Sequence, residues 1–534
     1  MKKNIILALL IVYSSSIFSQ NKLEFIKLLE ASMKIKTLYV DTINNDKMME
    51  SAIKGILESL DPHSVYIPKE EVKKMNEPLV GNFEGIGVQF QMLDDTLFVE
   101  NTITDGPSER VGILPGDRIV AVNDSSIAGQ KMTTTDIMKR LRGKKGTTVS
   151  VKVLRRGIPE LIDFKITRDK IPLYSVDASY MATPTIGYIK LSKFSATSEK
   201  EFDAAFRKLQ KQGLKDLILD LQSNGGGYLQ TAIELADKFL GGKQLIVYTK
   251  GRNDKQTNYI ASSRGEYRNG RLILLIDEYS ASASEILSGA VQDWDRGIIV
   301  GRRSYGKGLV QQPINLSDGS IIRLTTSRYY TPSGRSIQRP YKDKSVSNYR
   351  HDVVERYNRG ELMQEDSIHF PDSLRRQTLV LKRPVYGGGG IMPDIFVPLD
   401  TSYTSKYLTN IVAKGIVNSF ASKFIEAHET ELKKQYPSFE KFDAHFEVTD
   451  SILRQLVKTA ENEKVEFDQE GFQRSKQFLA IQLKALFARR LWSINEFYQV
   501  YNTENEICKK AIEILSTPDM YENVLRKTEK QKNN

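Results

Sequence analysis

One cysteine in 534 residues, Cys508, rules out an internal disulfide and any cysteine-built metal site. Histidine is nearly as scarce. His63, His351, His369, His428 and His445 are all there are, and none forms H-x-x-H or H-E-x-x-H, so no metal or other cofactor is expected. Long apolar runs are missing too. The longest, Ile5 to Tyr13, is about half the ~20 residues needed to span a bilayer. It follows Lys2 and Lys3 and precedes small residues ending at Ser19, which is the pattern of a secretory signal peptide covering 1–19. Without a nearby cysteine a lipid anchor is not expected. The chain reads as exported and periplasmic, rather than held by an uncleaved signal segment.

Basic residues exceed acidic ones by 11, but no basic run is interleaved with aromatics, so neither nucleic acid nor a nucleotide is expected as a partner. What remains is ordinary globular composition, 40% apolar and 27% charged, over a length that suggests three or four domains.

The chemistry concentrates between Arg271 and Gln311. Arg271 to Asp277 is a leucine- and isoleucine-rich run suited to a buried strand. From Ser282 the apolar residues Ile286, Leu287, Ala290, Val291 and Trp294 recur at helical spacing, and Ser282-Ala283-Ser284-Glu285 fits a capping box. Ser282 is thus either a plain helix cap or a nucleophile beside free N–H groups that can hold an oxyanion. The distribution of histidines argues against a His triad. Lys307, in Ser304-Tyr305-Gly306-Lys307-Gly308, is the alternative base; a lysine serves only if burial lowers its pKa from about 10.4 toward neutrality.

The same loop matches G-x-x-x-x-G-K over Gly301 to Lys307. Position 308, however, is Gly where Mg²⁺ requires Ser or Thr, and a strand follows instead of a helix, so an NTPase is set aside. Upstream, Leu217 to Leu221 reads as a second buried strand. It runs into Gln222-Ser223-Asn224-Gly225-Gly226-Gly227 and then a helix, a junction whose bare N–H groups suit an oxyanion.

These two motifs together resemble the C-terminal processing peptidases, or tail-specific serine proteases. The resemblance implies Ser282 as nucleophile, Lys307 as general base and Gln311 as the group orienting its amine. It also implies an oxyanion hole from the N–H groups of Gly226 and Ala283. Asp293 falls where some members have a supporting Asp; a structural role on the helix surface is the other reading. One departure stands out: members commonly have Asn-Pro-Gly-Gly after an Arg-bearing strand end, whereas here Gly225 replaces the proline and Gln222 the arginine. The loop is expected to be more flexible for it.

The resemblance organises the rest. Residues 20–80 read as helical and include Leu60-Asp61-Pro62-His63-Ser64, which resembles a segment preceding the family's PDZ module. Residues 81–168 resemble that PDZ domain. There Gly85, Ile86, Gly87 and Val88 would bind a peptide carboxylate and offer a strand edge, with Ile137, Met138 and Leu141 on the helix lining the groove. Residues 169–400 alternate strand and helix, implying an α/β, crotonase- or ClpP-like catalytic core on a mostly parallel sheet, with a surface insertion at 345–380 and a flexible Gly387 to Gly390 turn. Residues 401–534 read as a helical domain. The implied function is an exported serine endopeptidase acting on proteins with unstructured C-terminal tails. There is room for an activating or adaptor partner and for a homo-oligomer. The alternative is a non-catalytic PDZ scaffold.

Overall fold

A computed structural model describes residues 25–252, 255–262, 265–341, 348–349 and 351–526. The signal peptide expected at 1–19 lies outside the described residues. The chain forms two compact units, one ending at residue 69 and including 312–325, the other comprising 70–311 and 326–534.

In the smaller unit, helices over 25–38 and Asn45–Glu58 precede a short strand, Val65–Ile67, paired antiparallel with residues 321–323. The Leu60–Ser64 motif is a structural knot. Asp61 accepts the N–H groups of His63 and Ser64, the Ser64 hydroxyl and the Thr325 hydroxyl.

The larger unit begins with the module expected to resemble a PDZ domain. Its flanking strands, Asn82–Gly85 and Asp169–Pro172, pair with each other, which gives the module a two-stranded stem and marks it as inserted. Between them lie β1 (Val88–Leu93), β2 (Thr96–Thr102), β3 (Arg118–Val122), β4 (Thr148–Leu154) and β5 (Ile162–Thr167), an antiparallel sheet in that spatial order, with helix α1 (Thr134–Leu141). The alternation of β4, in which Val149, Val151 and Val153 are buried, is the period-2 signature of a one-sided sheet. Ile137, Met138 and Leu141 lie on a helix as expected; Ile137 and Leu141 join that core and Met138 stays half-buried, because only one helix face can point inward.

The central sheet runs β6 (Val176–Met181), β7 (Ile186–Leu191), β8 (Asp216–Asp220), β9 (Leu272–Ile276), β10 (Ile298–Gly301) and β11 (Ile395–Phe396), in that spatial order. β7 to β11 are parallel and β6 is an antiparallel edge. The near-continuous apolar strands follow from burial on both faces. Leu272, Leu274 and Ile276 pack against α2 (Ser198–Lys211), α3 (Leu229–Phe239) and α4 (Ala283–Asp293). Ile273 and Leu275 pack against Ile507, Ala511, Ile514 and Tyr521 of the last two helices. The end of the helical region therefore closes the core. Before it, α6 (Ile416–Gln435) and α7 (Gln469–Leu491) belong to a separate apolar cluster.

Two expectations change. The polar stretch at 345–380 is surface only in part, since the short helix α5 (Asp352–Asn358) buries Arg356, which is 1% exposed. Its guanidinium donates to the carbonyls of Ser304 (3.1 Å) and Arg303 (2.6 Å), so polarity marks pairing rather than exposure here. The Gly387 to Gly390 turn is tightly packed: Gly390 has φ +92°, and a Cβ there would lie 2.6 Å from the Ser304 carbonyl oxygen.

Candidate active site

β9 ends in a turn from Asp277 to Ser282 that leads into α4, and the serine hydroxyls across this junction have distinct fates. Ser280 Oγ donates to the Leu221 carbonyl (2.8 Å) and to the Asp277 carboxylate (3.1 Å). Ser284 Oγ donates to the Asn224 carbonyl (2.8 Å), which also takes the Ala281 N–H (3.0 Å). Asp277 accepts the Ser223 N–H through both oxygens at 2.9 Å. Its carboxyl is raised above the ordinary range by burial, against the pull of that N–H. Two of the three serines thus staple the glycine loop to the start of the helix, while the Ser282 hydroxyl makes no hydrogen bond to that loop.

Ser282 itself sits at φ 56°, ψ −111°, a conformation that strains an L residue and recurs at functional turns. It also stands at the helix cap, in a capping box with Glu285: the Glu285 carboxylate reaches back to the Ser282 N–H (2.8 Å), and the Glu285 N–H faces Ser282, reaching its carbonyl at 2.9 Å.

Glu285 joins the two motifs. Fully enclosed, its carboxylate also accepts Ser304 Oγ (2.5 Å), the Gly306 N–H (2.7 Å) and the Lys307 N–H (2.9 Å). Burial pushes its carboxyl up to about 7, opposed by the Ser304 hydroxyl and the three N–H donors. On the carbonyl side, the Tyr329 hydroxyl contacts both the Ser282 oxygen (3.1 Å) and the Lys307 oxygen. The Lys307 ammonium donates to Gln311 Oε1 (2.9 Å). Sequence reasoning took Glu285 for a cap and missed Tyr329; the S-x-x-E pattern was the one available signal, and nothing in the sequence pointed to Tyr329.

The glycine loop meets the same turn. Gly226 has φ +98°, and a Cβ on it would fall 2.8 Å from Ser282 Cβ and 2.9 Å from the Ala283 nitrogen, so only glycine fits. Its N–H donates to Asn224 Oδ1 (2.9 Å), and Asn224 Nδ2 to the Leu191 carbonyl (2.8 Å). The Gly226 N–H, expected to serve an oxyanion, is therefore engaged within the loop in this conformation. The Ala283 N–H opens α4 and has no acceptor among the described residues. Under the loop a buried Lys190 bridges Asp220 (3.0 Å) and the Gln222 carbonyl (2.6 Å), and Tyr188 donates to Asp220 (2.5 Å).

The other expected residues lie apart. Gly85, Ile86, Gly87 and Val88 form the lead-in to β1 in the inserted module; the Ile86 carbonyl accepts the Ser108 N–H and hydroxyl, and the Gly87 carbonyl the Ile103 N–H. β1 is an edge strand, the geometry an added peptide strand needs. Asp293 is not on a helix surface: it is fully buried, paired with Arg335 (2.7 Å) and accepting the Ser333 N–H (2.8 Å). Its α4 position at i+10 from Ala283 places it at the far end of the helix from Ser282.

Comparison with known proteins finds relatives for most of the chain. Residues 185–344 match the family model for peptidase family S41, residues 85–166 that for the PDZ domain and residues 11–71 that for the activating protease CtpB N-terminal domain; residues 407–493 match a family of unknown function. The chain is 37% identical over 340 residues to a carboxy-terminal-processing protease of Bartonella bacilliformis, covering 62% of this chain and 77% of that one. It is 35% identical over 316 residues to carboxy-terminal processing protease CtpB of Bacillus subtilis, covering 59% and 65%. Among solved structures, a photosystem II D1 C-terminal processing protease shares 27% identity over 58% of this chain and 89% of that chain, with a TM-score of 0.34.

Proposed function

The chain belongs to the carboxy-terminal-processing proteases of peptidase family S41 and is a serine-type peptidase with a PDZ domain; from that premise we propose that it is an exported endopeptidase using Ser282, Lys307 and Gln311 to cut proteins captured by their unstructured C-terminal tails. The observation that carries the site is the sparing of one hydroxyl. Of Ser280, Ser282 and Ser284, only Ser282 is not tied to a carbonyl of the glycine loop, and it shares its backbone partners with Lys307.

In this reading the neutral Lys307 amine removes the Ser282 proton as Oγ attacks the substrate carbonyl carbon. The oxyanion is received by the Ala283 N–H, and by Gly226 once its N–H leaves Asn224 Oδ1 for the stronger acceptor. Protonated Lys307 then gives its proton to the departing amine as the C–N bond breaks, leaving an acyl-enzyme. Water, deprotonated by the same amine, hydrolyses the ester and restores Ser282. Gln311 Oε1 holds the ammonium in line through both halves. The tail adds as a strand along β1, with its carboxylate at Gly85 to Val88.

The test is cleavage of an unfolded reporter with an apolar C-terminal tail, with chelator present. Wild type should cut, and Ser282→Ala and Lys307→Ala should fall by at least about a thousandfold, as loss of a nucleophile or base does elsewhere. If all three proteins bind the tail and none cuts, the scaffold reading replaces this one. Export is checked by the N-terminus of the mature protein, expected at Gln20.

A further inference from the structure

We propose that Tyr329 is a positioning residue of this peptidase, whose hydroxyl holds the nucleophile and the base at a fixed separation by tying their carbonyl groups together. The inference rests on the reading of Ser282 and Lys307 as the reacting pair.

Tyr329 is 1% exposed, and its hydroxyl touches the carbonyl oxygens of both Ser282 and Lys307. A phenol carries one proton, so the two carbonyls share a single donor, which favours the arrangement that keeps both within reach. The ring is itself fixed to the lysine loop, because the Tyr329 N–H donates to the Gly308 carbonyl at 3.1 Å. Burial raises the phenol well above its ordinary value, so the shared proton stays in place through the working pH range.

Both backbones need such a tie. Ser282 occupies a strained left-handed conformation, and Lys307 is flanked by Gly306, at φ +88°, and Gly308. The Ser282 carbonyl also takes the N–H groups of Glu285 (2.9 Å) and Ile286 (3.0 Å), but these lie within its own helix start; without the shared Tyr329 donor nothing on the carbonyl side ties that turn to the glycine-flanked Lys307 loop, which drifts. Glu285 secures the N–H side of the same two residues, so Tyr329 supplies the missing half of a two-sided clamp. Misplacing a catalytic group by about 1 Å costs on the order of a hundredfold in rate, and the substrate tail, bound elsewhere, does not register it.

The experiment uses the full chain with Tyr329→Phe, which removes the hydroxyl and keeps the ring. Steady-state cleavage of the tailed reporter is measured beside Ser282→Ala and Lys307→Ala, with thermal unfolding and the rate at which a fluorophosphonate phosphonylates Ser282 with loss of fluoride. The expected result is a kcat lower by about 10- to 100-fold with KM within about twofold. Phosphonylation should slow in parallel, and the unfolding transition should stay cooperative. A kcat within twofold of wild type while Lys307→Ala is inert overturns the proposal alone. A loss that tracks a loss of folded protein also overturns it, since that marks a purely structural tyrosine. Full activity of Lys307→Ala would instead remove the reading on which the proposal rests.

Discussion

Ser282 and Lys307 send their backbone N–H groups to one oxygen atom, Glu285 Oε2, at 2.8 and 2.9 Å. The two residues are 25 apart in sequence and arrive on different elements, one at the start of α4 and the other in a loop after β10. A single carboxylate thus measures out their separation, and its own state matters.

Burial lifts Glu285 from an ordinary 4.5 to about 7, so the folded chain binds more protons than the unfolded one between those values. Its contribution to stability is therefore present below about pH 4.5 and is lost as pH rises through about 7, a span worth at most about 3 kcal/mol. Burial raises other carboxyls as well, Asp277 among them. The informative quantity is the urea stability of wild type minus that of Glu285→Gln, which should fall with rising pH across this window. A difference that stays flat from pH 5 to 8 would show that Glu285 is ionised throughout.

Gly225 stands where the family resemblance leads one to expect proline. It is exposed, its φ is not left-handed, and a Cβ there would meet nothing within 4 Å. Gly225→Ala should therefore stabilise the protein by about 0.4–1 kcal/mol by narrowing the unfolded ensemble. Chemical denaturation decides it, and a destabilised variant would mean the loop needs glycine for another conformation.

The PDZ sheet leans on the helical region through charge. Arg490 of α7 pairs with Glu100 of β2 and touches Ser422; Glu426 of α6 accepts Arg118 (3.2 Å) through its carboxylate and Arg156 (2.6 Å) through its carbonyl; Lys423 meets Asp94 (2.6 Å). The Arg490 and Glu100 side chains are only 13% and 17% exposed, so reversing one charge costs more than a surface pair would. Arg490→Glu should lower the preference in kcat/KM for a tailed over an untailed reporter by several-fold, and adding Glu100→Arg should restore it. An unchanged preference in the single variant would mean that the PDZ position does not govern tail delivery.

Much of the site was legible because its motifs are local. A buried strand, a turn and an apolar-faced helix around Ser282 follow from the periodicity of residues 271–294, and the bare glycines at 225–227 announce a close approach. The alternation that makes β4 one-sided and the unbroken apolar run that makes β9 two-sided distinguish the PDZ sheet from the core sheet before any coordinate is known. The polar 345–380 stretch misled because composition reports solubility, not pairing: Arg356 is buried by two carbonyl groups some 50 residues upstream.

The sequence by itself determined the elements and the residue types at their junctions, since backbone propensity, side-chain periodicity and the steric permission of glycine act within a few residues. Only the tertiary structure decided which partner each polar group found. That Ser280 and Ser284 are spent on loop carbonyls while Ser282 is not depends on where β8 places its glycine loop. That Asn224 holds the Gly226 N–H and that Glu285 and Tyr329 serve Ser282 and Lys307 jointly likewise depend on contacts made after folding. A hydrogen bond is short and directional, so its partner is chosen by packing over ångströms and not by spacing along the chain.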